Sequence, residues 1–204
     1  YAEGLPKRET NPALGLRGMR FLLHRLDLLE TQIKAILRAS KNKNVSFMLP
    51  MVTTINEVIQ VKEIIEKCKR ELADKNIDFD SNIPIGLMIE TPAAAIMSDE
   101  LAKLCSFFSI GTNDLTQYSL AVDRDNELVS QYFDAFNPAV IRLMEMIVES
   151  AHKNNISVSI CGELAGHSAA TKTLIDIGID KLSVPPSLLL ELKSRVRDID
   201  LNEK

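Results

Sequence analysis

The sequence contains no tryptophan, and phenylalanine and tyrosine make up only 5% of it. Its hydrophobic fraction is nevertheless 46%, so the interior has to be built from aliphatic side chains. This balance excludes an intrinsically disordered chain and is ordinary for a globular fold. A length of 204 residues suits one domain with a substantial core, and we expect no second full domain.

Cysteine, long apolar runs and basic clusters are also scarce. Cys68, Cys105 and Cys161 lie far apart, and their odd number does not suggest a disulfide framework. No apolar run approaches the ~20 residues that span a bilayer, and the amino terminus lacks a signal-peptide pattern. Lysine and arginine are scattered in a chain of net charge −4, which disfavours nucleic-acid binding. We therefore expect a cytoplasmic protein that binds neither membranes nor nucleic acid.

Short apolar segments alternate with segments of helical periodicity along the chain. The apolar segments have the composition of strands buried on both faces, and they lie at 45–52, 85–89, 107–110, 157–160 and 181–184. Helices are expected over 20–40, from a capping box at 54–57, with Thr91 as cap and Pro92 in the first turn, from 138 with Asn137 as cap, after Ser168, and up to about 197. Another short strand is possible at 16–19.

This alternation predicts a parallel sheet covered by helices, either doubly wound or a (β/α)₈ barrel. The sequence has no G-x-G-x-x-G motif, which disfavours a dinucleotide-binding fold. Both architectures bind ligands at the carboxyl ends of the strands. The residues that follow each predicted strand are therefore the candidates for a site.

Two acidic residues stand at neighbouring strand ends. Glu90 follows the predicted strand 85–89, and Asp114 lies four residues beyond the strand 107–110. Two such carboxylates can share a hard cation such as Mg²⁺, which proteins hold with one or two carboxylates plus substrate oxygens and water. The alternative is that both residues only cap helices.

Cys161, Arg17 and Arg124 are further candidates. Cys161 follows the strand 157–160, where a thiol can donate a proton or attack as a nucleophile, although a free cysteine is more often a small core residue. The two arginines lie in loop-like segments, where a guanidinium can grip phosphate or carboxylate or simply form a surface ion pair.

Six strings in order resemble the C-terminal domain of enzyme I of the bacterial phosphoenolpyruvate:sugar phosphotransferase system. They are NPALGLR at 11–17, TQIKAILRAS at 31–40, ETPAAA at 90–95, FFSIGTNDLTQY at 107–118, AVDR at 121–124 and CGELAG at 161–166. Phosphoenolpyruvate synthase and pyruvate phosphate dikinase share this barrel, but the strings at 31–40 and 111–118 look closer to enzyme I.

The resemblance implies roles for particular residues. Glu90 and Asp114 would bind Mg²⁺. Arg17, Asn113, Asp114 and Arg124 would bind the substrate phosphoenolpyruvate, and Cys161 would protonate the enolate to give pyruvate. The family implies a phosphotransferase that passes the phosphoryl group to a histidine on an N-terminal domain, then to the phosphocarrier protein HPr for sugar uptake, and that pairs as a homodimer.

Two departures from the family pattern qualify these expectations. His167 replaces the aspartate that usually follows CGELAG, and only five clear strands are present where a closed barrel needs eight. We therefore expect residues 1–204 to form one incomplete (β/α) barrel domain that lacks N-terminal strands and needs its exposed sheet edges covered. Alone, it should bind phosphoenolpyruvate weakly and be inactive in phosphoryl transfer. Alternatives are a synthase or dikinase fragment, a dimerisation module without turnover, or a metal-dependent aldolase or lyase.

Overall fold

The computed structural model describes residues 9–200, and its centre is a parallel sheet of five strands. The strands are β1 (Phe47–Leu49), β2 (Ile85–Ile89), β3 (Phe107–Gly111), β4 (Ser157–Cys161) and β5 (Lys181–Leu182). Every neighbouring pair is parallel, and the spatial order follows the chain without reversal. Sequential order is the progression of a (β/α) barrel, whereas doubly wound sheets reverse direction at a switch point. The predicted parallel α/β fold is confirmed.

Ten α-helices lie within the described residues. They are α1 (Gly18–His24), α2 (Leu26–Ala39), α3 (Ile55–Asp74), α4 (Pro92–Ile96), α5 (Ser98–Ala102), α6 (Thr112–Leu120), α7 (Pro138–Lys153), α8 (Glu163–Gly166), α9 (Ala170–Asp176) and α10 (Leu189–Asp198). Short 3₁₀ turns cover Pro12–Leu14, Ser40–Asn42, Ser130–Tyr132 and Pro186–Leu188. None of the helices within residues 9–200 combines the length and apolar character needed to cross a membrane.

The start and the inward face of α3 match the sequence prediction. Thr54 accepts a hydrogen bond from the Glu57 backbone, and the Glu57 carboxylate accepts one from the Thr54 backbone, which completes the capping box. The inward face is the predicted apolar stripe of Val58, Val61, Ile65, Cys68 and Leu72, all buried. The Asn137 cap of α7 and the Thr91 cap of α4 are confirmed as well.

The prediction of a single helix over 20–40 is wrong, because the helix is interrupted at Arg25. The Arg25 backbone leaves helical geometry at φ −119° and ψ 67° while its N–H closes α1 on the carbonyl of Phe21. The Arg25 side chain then binds the Asp27 carboxylate in the first turn of α2, at 2.8 and 2.9 Å. A new helix therefore starts at Leu26. The apolar spacing continues across Arg25, so the sequence pattern did not indicate the interruption.

The strand predicted at 16–19 is also wrong, and the first strand is shorter than 45–52. The Leu16 N–H donates to a Glu9 carboxylate oxygen rather than to a sheet neighbour, and α1 begins at Gly18 with φ +55°. Strand β1 ends at Leu49 because Pro50 has no N–H and Met51 takes φ +54°. The polar stretch after β3, for which no helix was predicted, contains α6.

The buried side chains form one aliphatic cluster that fills the space between the sheet and its helices. It contains Phe108 as its one fully buried aromatic among the described residues, which agrees with the aliphatic core expected from composition. A single domain over residues 1–204 remains a prediction, because it extends beyond the described range.

Candidate active site

The three central strands end side by side. Strand pairing sets Ile89 opposite Ile110, and Gly111 opposite Cys161. Glu90 therefore stands directly beyond β2, Cys161 closes β4, and α6 starts immediately after β3. Because neighbouring parallel strands end at the same side, the predicted site residues Glu90, Asp114 and Cys161 lie together at the carboxyl ends of these strands.

Glu90 is a buried carboxyl held at one oxygen. It is 4% exposed, and its Oε1 accepts a hydrogen bond of 2.7 Å from the Met51 N–H. Burial raises the pKa of Glu90 to about 7; the Met51 hydrogen bond lowers it, and the nearby charge of Asp114 raises it. A Cβ at position 111 would lie 2.5 Å from Glu90 Oε2, so glycine there makes room for this second oxygen.

Asp114 lies in the first turn of α6, between two arginines from distant parts of the chain. Arg17 Nη1 lies 3.3 Å from its Oδ1, and Arg124 Nη1 lies 3.7 Å from its Oδ2. The 3.3 Å contact lacks the geometry of a hydrogen bond, and Oδ1 is buried without a hydrogen-bond partner. The three residues predicted from separate motifs are therefore brought together, with one carboxylate oxygen unsatisfied.

The last turn of α6 holds both segments that carry these arginines. Tyr118 accepts a hydrogen bond of 3.2 Å from Arg17 Nη1 and donates to the carbonyl of Ala13. Gln117 is buried, and its Oε1 accepts a hydrogen bond of 3.1 Å from the Arg124 backbone N–H. One helix thus carries the carboxylate in its first turn and the supports of both arginines in its last.

The surroundings of Cys161 favour its protonated thiol. Its Sγ lies 3.5 Å from the Ile110 carbonyl, to which it can donate, and 3.7 Å from the Ser109 hydroxyl, which can donate to it. Burial raises the pKa of the Cys161 thiol; the Ser109 hydrogen bond lowers it, and the charges of Glu90 and Asp114 raise it. A protonated thiol is suited to act as an acid rather than as a nucleophile.

Asn113 connects the start of α6 to the loop after β4. Its Oδ1 accepts a hydrogen bond of 3.2 Å from the Glu163 N–H. Gly162, at φ +99°, allows this approach, because a Cβ there would meet Thr112 Oγ1 at 2.4 Å and Asn113 Oδ1 at 3.0 Å. The carbonyl side of the Asn113 amide is therefore engaged by the protein.

The capping alternative for the two carboxylates fails on these contacts. Helix α4 is capped by the Thr91 hydroxyl, which accepts from Ala94 N, while the Glu90 carboxylate points to Met51. Helix α6 has Gly111 at its N-cap and no side-chain cap bond, so Asp114 does not cap it.

His167 lies at the end of α8, and its ring packs edge to face against Phe136 at 5.2 Å. This contact gives the residue a packing role. Its effect on Cys161 stays a prediction.

Two carboxylate oxygens, one each from Glu90 and Asp114, have the chemistry of ligands for a hard cation. The described residues contain no group of three or more His, Cys, Asp and Glu side chains arranged to hold a metal. Glu90 Oε2 and Asp114 Oδ1 are the two candidate donors, and the second has no hydrogen-bond partner. Mg²⁺ takes one or two carboxylates and completes its shell with substrate oxygens and water, so the pair suits it.

The sequence prediction missed Met51, Ser109, Gln117 and Tyr118. Gln117 and Tyr118 belong to the string at 107–118, so their motif contained the signal, but the helix that orients them was not predicted. Ser109 is at an ordinary strand position. Met51 offered no signal, because its contribution is a backbone N–H at positive φ.

The chain is similar in sequence to proteins of one enzyme family. Residues 3–201 match the family model described as PEP-utilising enzyme, PEP-binding domain. The chain is 43% identical over 195 residues to the phosphoenolpyruvate-protein phosphotransferase of Mycoplasma capricolum, covering 96% of this chain and 34% of that protein. The proteins of the same name from Priestia megaterium, with identical coverage, and Haemophilus influenzae, covering 98% and 34%, are 42% and 41% identical. The chain spans about a third of the length of these relatives.

Two solved structures share the fold. A citrate lyase from Burkholderia xenovorans LB400 aligns with a TM-score of 0.62 at 18% identity, over 81% of this chain and 53% of that one. An HpcH/Hpal aldolase/citrate lyase family protein from Burkholderia cenocepacia J2315 aligns with a TM-score of 0.55 at 13% identity, over 82% and 68%. At such low identity these likenesses show the fold alone.

Proposed function

The chain belongs to the family of the PEP-utilising enzymes, as their PEP-binding domain, and we propose that it binds phosphoenolpyruvate together with Mg²⁺. The proposed site lies at the carboxyl ends of the central strands, where Glu90, Asp114 and Cys161 stand. One observation carries the proposal. Two arginines from separate segments converge on Asp114, which lies beside the buried Glu90. With Mg²⁺ added to the two arginines, the positive charge would exceed that of the two carboxylates, and a dianionic or trianionic ligand would match the difference.

Glu90 and Asp114 would hold the cation. When bound, Mg²⁺ would neutralise charge on the phosphate and on the oxygen that becomes the enolate. The Met51 N–H fixes Glu90 by its Oε1, which leaves Oε2 for the ion. Gly111 gives that oxygen its space.

Arg17 and Arg124 would grip the phosphate and carboxylate groups of the substrate. Each lies at the edge of Asp114 without closing a hydrogen bond to it, at 3.3 and 3.7 Å, so both retain donors for a ligand. Phosphoryl transfer needs its reactants positioned and its oxygen charge neutralised, and two guanidinium groups supply both. Asn113 would add a contact from the first turn of α6.

Cys161 would act as the acid. After the phosphoryl group leaves, the C3 carbon of the pyruvate enolate takes the proton from the Cys161 thiol, which forms the C–H bond of the methyl group and leaves a thiolate. Water then returns a proton to the sulfur. The raised pKa of the thiol supports this role, because the acid has to be protonated at neutral pH.

We extend the proposal to the role that the relatives' name describes. In a protein like those relatives, the phosphoryl group would pass from phosphoenolpyruvate to a histidine of an N-terminal domain and then to HPr, which serves sugar uptake. The transfer would take place in the cytoplasm, and the barrel domain would pair as a homodimer. The 43% identity over nearly the whole chain supports this extension.

Calorimetry tests the binding proposal. Titration of the chain with phosphoenolpyruvate should give a heat of binding that requires Mg²⁺, and Asp114→Asn should abolish it. Asp99→Asn, an exposed acidic residue of α5, is the matched control and should bind as the wild type does. Binding that is equal with and without Mg²⁺, or unchanged in Asp114→Asn, would refute the site.

Hydrogen exchange of pyruvate tests the acid. The chain with Mg²⁺ should speed the exchange of the pyruvate methyl protons in D₂O, followed by NMR, because the thiolate can remove the proton that the thiol delivers. Cys161→Ala should lose this acceleration. Cys105→Ala should keep this acceleration, because Cys105 lies before the amino end of β3, opposite the carboxyl ends where the site is proposed. Burial also raises the pKa of Cys105 to about 12. Equal rates in both variants would remove Cys161 from the proposal.

A further inference from the structure

The Tyr118 hydroxyl lies between two groups of the arginine-bearing N-terminal segment. It forms hydrogen bonds with the Ala13 carbonyl and with Arg17 Nη1, the second at 3.2 Å. Ala13 belongs to the 3₁₀ turn Pro12–Leu14, four residues before Arg17. The hydroxyl thus touches both the backbone that leads to the arginine and the guanidinium itself.

The direction of both hydrogen bonds is fixed by chemistry. A carbonyl oxygen only accepts, so the single Tyr118 proton goes to Ala13. A guanidinium only donates, so the Tyr118 oxygen accepts from Arg17. The hydroxyl uses its proton and a lone pair at the same time, and phenylalanine would lose both bonds.

The same Arg17 nitrogen faces a second acceptor. Nη1 lies 3.2 Å from the Tyr118 oxygen and 3.3 Å from Asp114 Oδ1, yet only the contact with Tyr118 has hydrogen-bond geometry. Tyr118 and Asp114 are four residues apart on α6 and therefore share one face of the helix. The Tyr118 oxygen accepts one of the two N–H groups of Nη1, and in this orientation neither N–H forms a hydrogen bond to Asp114 Oδ1.

We propose that Tyr118 is a positioning residue that keeps the Arg17 guanidinium from closing on Asp114, so that Oδ1 stays open to a divalent cation. The inference rests on the proposed function, because it concerns the same cation site. A bidentate arginine–carboxylate pair is strong, and it would occupy the oxygens that the cation needs. With the hydroxyl in place, the arginine keeps its charge near the site while the carboxylate stays available.

Tyr118→Phe is the direct test, with Mn²⁺ as the probe. Free Mn²⁺ is measured by electron paramagnetic resonance during titration of the chain. Loss of one hydrogen bond to a charged group corresponds to about a tenfold change, so we expect Mn²⁺ affinity to fall about tenfold. Tyr132→Phe is the matched control, because Tyr132 is exposed, and it should bind Mn²⁺ as the wild type does.

A second variant separates this role from general support of the fold. In Arg17→Ala the competitor is gone, so Mn²⁺ affinity should equal or exceed that of the wild type. Adding Tyr118→Phe to Arg17→Ala should then change nothing further. If the double variant shows the same tenfold loss as Tyr118→Phe alone, or if Arg17→Ala weakens Mn²⁺ binding, the inference is overturned. Where Tyr118→Phe fails to fold, weaker Mn²⁺ binding by Arg17→Ala still overturns the inference.

The outcomes also separate this inference from the proposed function. A wild-type chain that binds no Mn²⁺ contradicts the proposed site and the inference with it. A wild-type chain that binds Mn²⁺, with Tyr118→Phe binding equally well, contradicts the role of Tyr118 alone and leaves the site standing.

Discussion

Helices α3 and α6 both follow strands of the same sheet, but they bury different surfaces. The buried side of α3 is made of five apolar residues in a regular stripe. The buried side of α6 contains Leu115 and three polar residues, Thr112, Thr116 and Gln117. Helix α3 begins with a capping box, whereas α6 begins at Gly111 with no side-chain cap.

Unsatisfied polar atoms sharpen the contrast. Residues 9–200 contain four buried side-chain nitrogen or oxygen atoms without a hydrogen-bond partner, and three of them belong to Asp114, Thr116 and Ser119 of α6. Buried polar atoms without partners reduce stability. The stability of the fold therefore does not explain why α6 carries polar residues at these buried positions. We infer that α3 serves the fold and that α6 serves the proposed site.

The largest expected effect is on α3. Ile65 is fully buried in its apolar stripe, so Ile65→Ala should lower the free energy of unfolding by about 2–5 kcal/mol through lost burial and a cavity. Urea unfolding measures this, with Ile59→Ala on the exposed side of the same helix as the control, which should change it by less than about 0.5 kcal/mol. Equal effects at the two positions would deny α3 its role in the core.

Next in size is the effect of the charge facing α6. Because the pKa of Glu90 is raised to about 7 from 4.5, the folded state binds this proton more tightly than the unfolded state does. Stability of the metal-free chain should therefore fall as pH rises from about 4.5 to about 7, by about 3 kcal/mol in total from this group.

Glu90→Gln tests this pH dependence. Glutamine keeps an acceptor for the Met51 N–H but carries no charge, so the variant should be more stable than the wild type at pH 8 and similar to it at pH 4. Urea unfolding at several pH values gives the difference. A constant difference across this range would contradict the raised pKa.

The capping contrast predicts a smaller effect. Thr54→Ala removes the side-chain acceptor of the capping box and should cost about 1 kcal/mol of stability. Gln60→Ala, an exposed position on α3, is the control and should leave the unfolding midpoint nearly unchanged. A loss no greater than that of the control would mean that α3 does not depend on its cap.

The smallest effect is expected for a hydroxyl of α6. Thr116 is fully buried and its Oγ1 has no partner, so Thr116→Val should leave stability unchanged or raise it by up to about 1 kcal/mol. The comparison variant is Thr112→Val, whose hydroxyl donates to the Cys161 carbonyl at 2.9 Å and which should lose stability. Equal losses in both variants would indicate that Thr116 also has a partner.

The same contrast explains which parts of the protein could be predicted from sequence. Apolar stripes and caps such as Thr54 with Glu57 depend on local spacing, so α3 and the strand Ile85–Ile89 were predicted correctly. Helix α6 was missed because its buried side is polar and has no apolar period. Arg17 and Arg124 were recognised as candidates, but their meeting at Asp114 depends on Tyr118 and Gln117, whose contacts exist only in the folded chain.

A crystal of the chain soaked with Mn²⁺ and phosphoenolpyruvate, with the metal located by its anomalous scattering, tests the proposed site most directly. We expect one peak within bonding distance, about 2 Å, of oxygens from both Glu90 and Asp114, with Arg17 and Arg124 contacting the ligand. A metal peak bound elsewhere, or a bound ligand that contacts neither arginine, would contradict the proposed site.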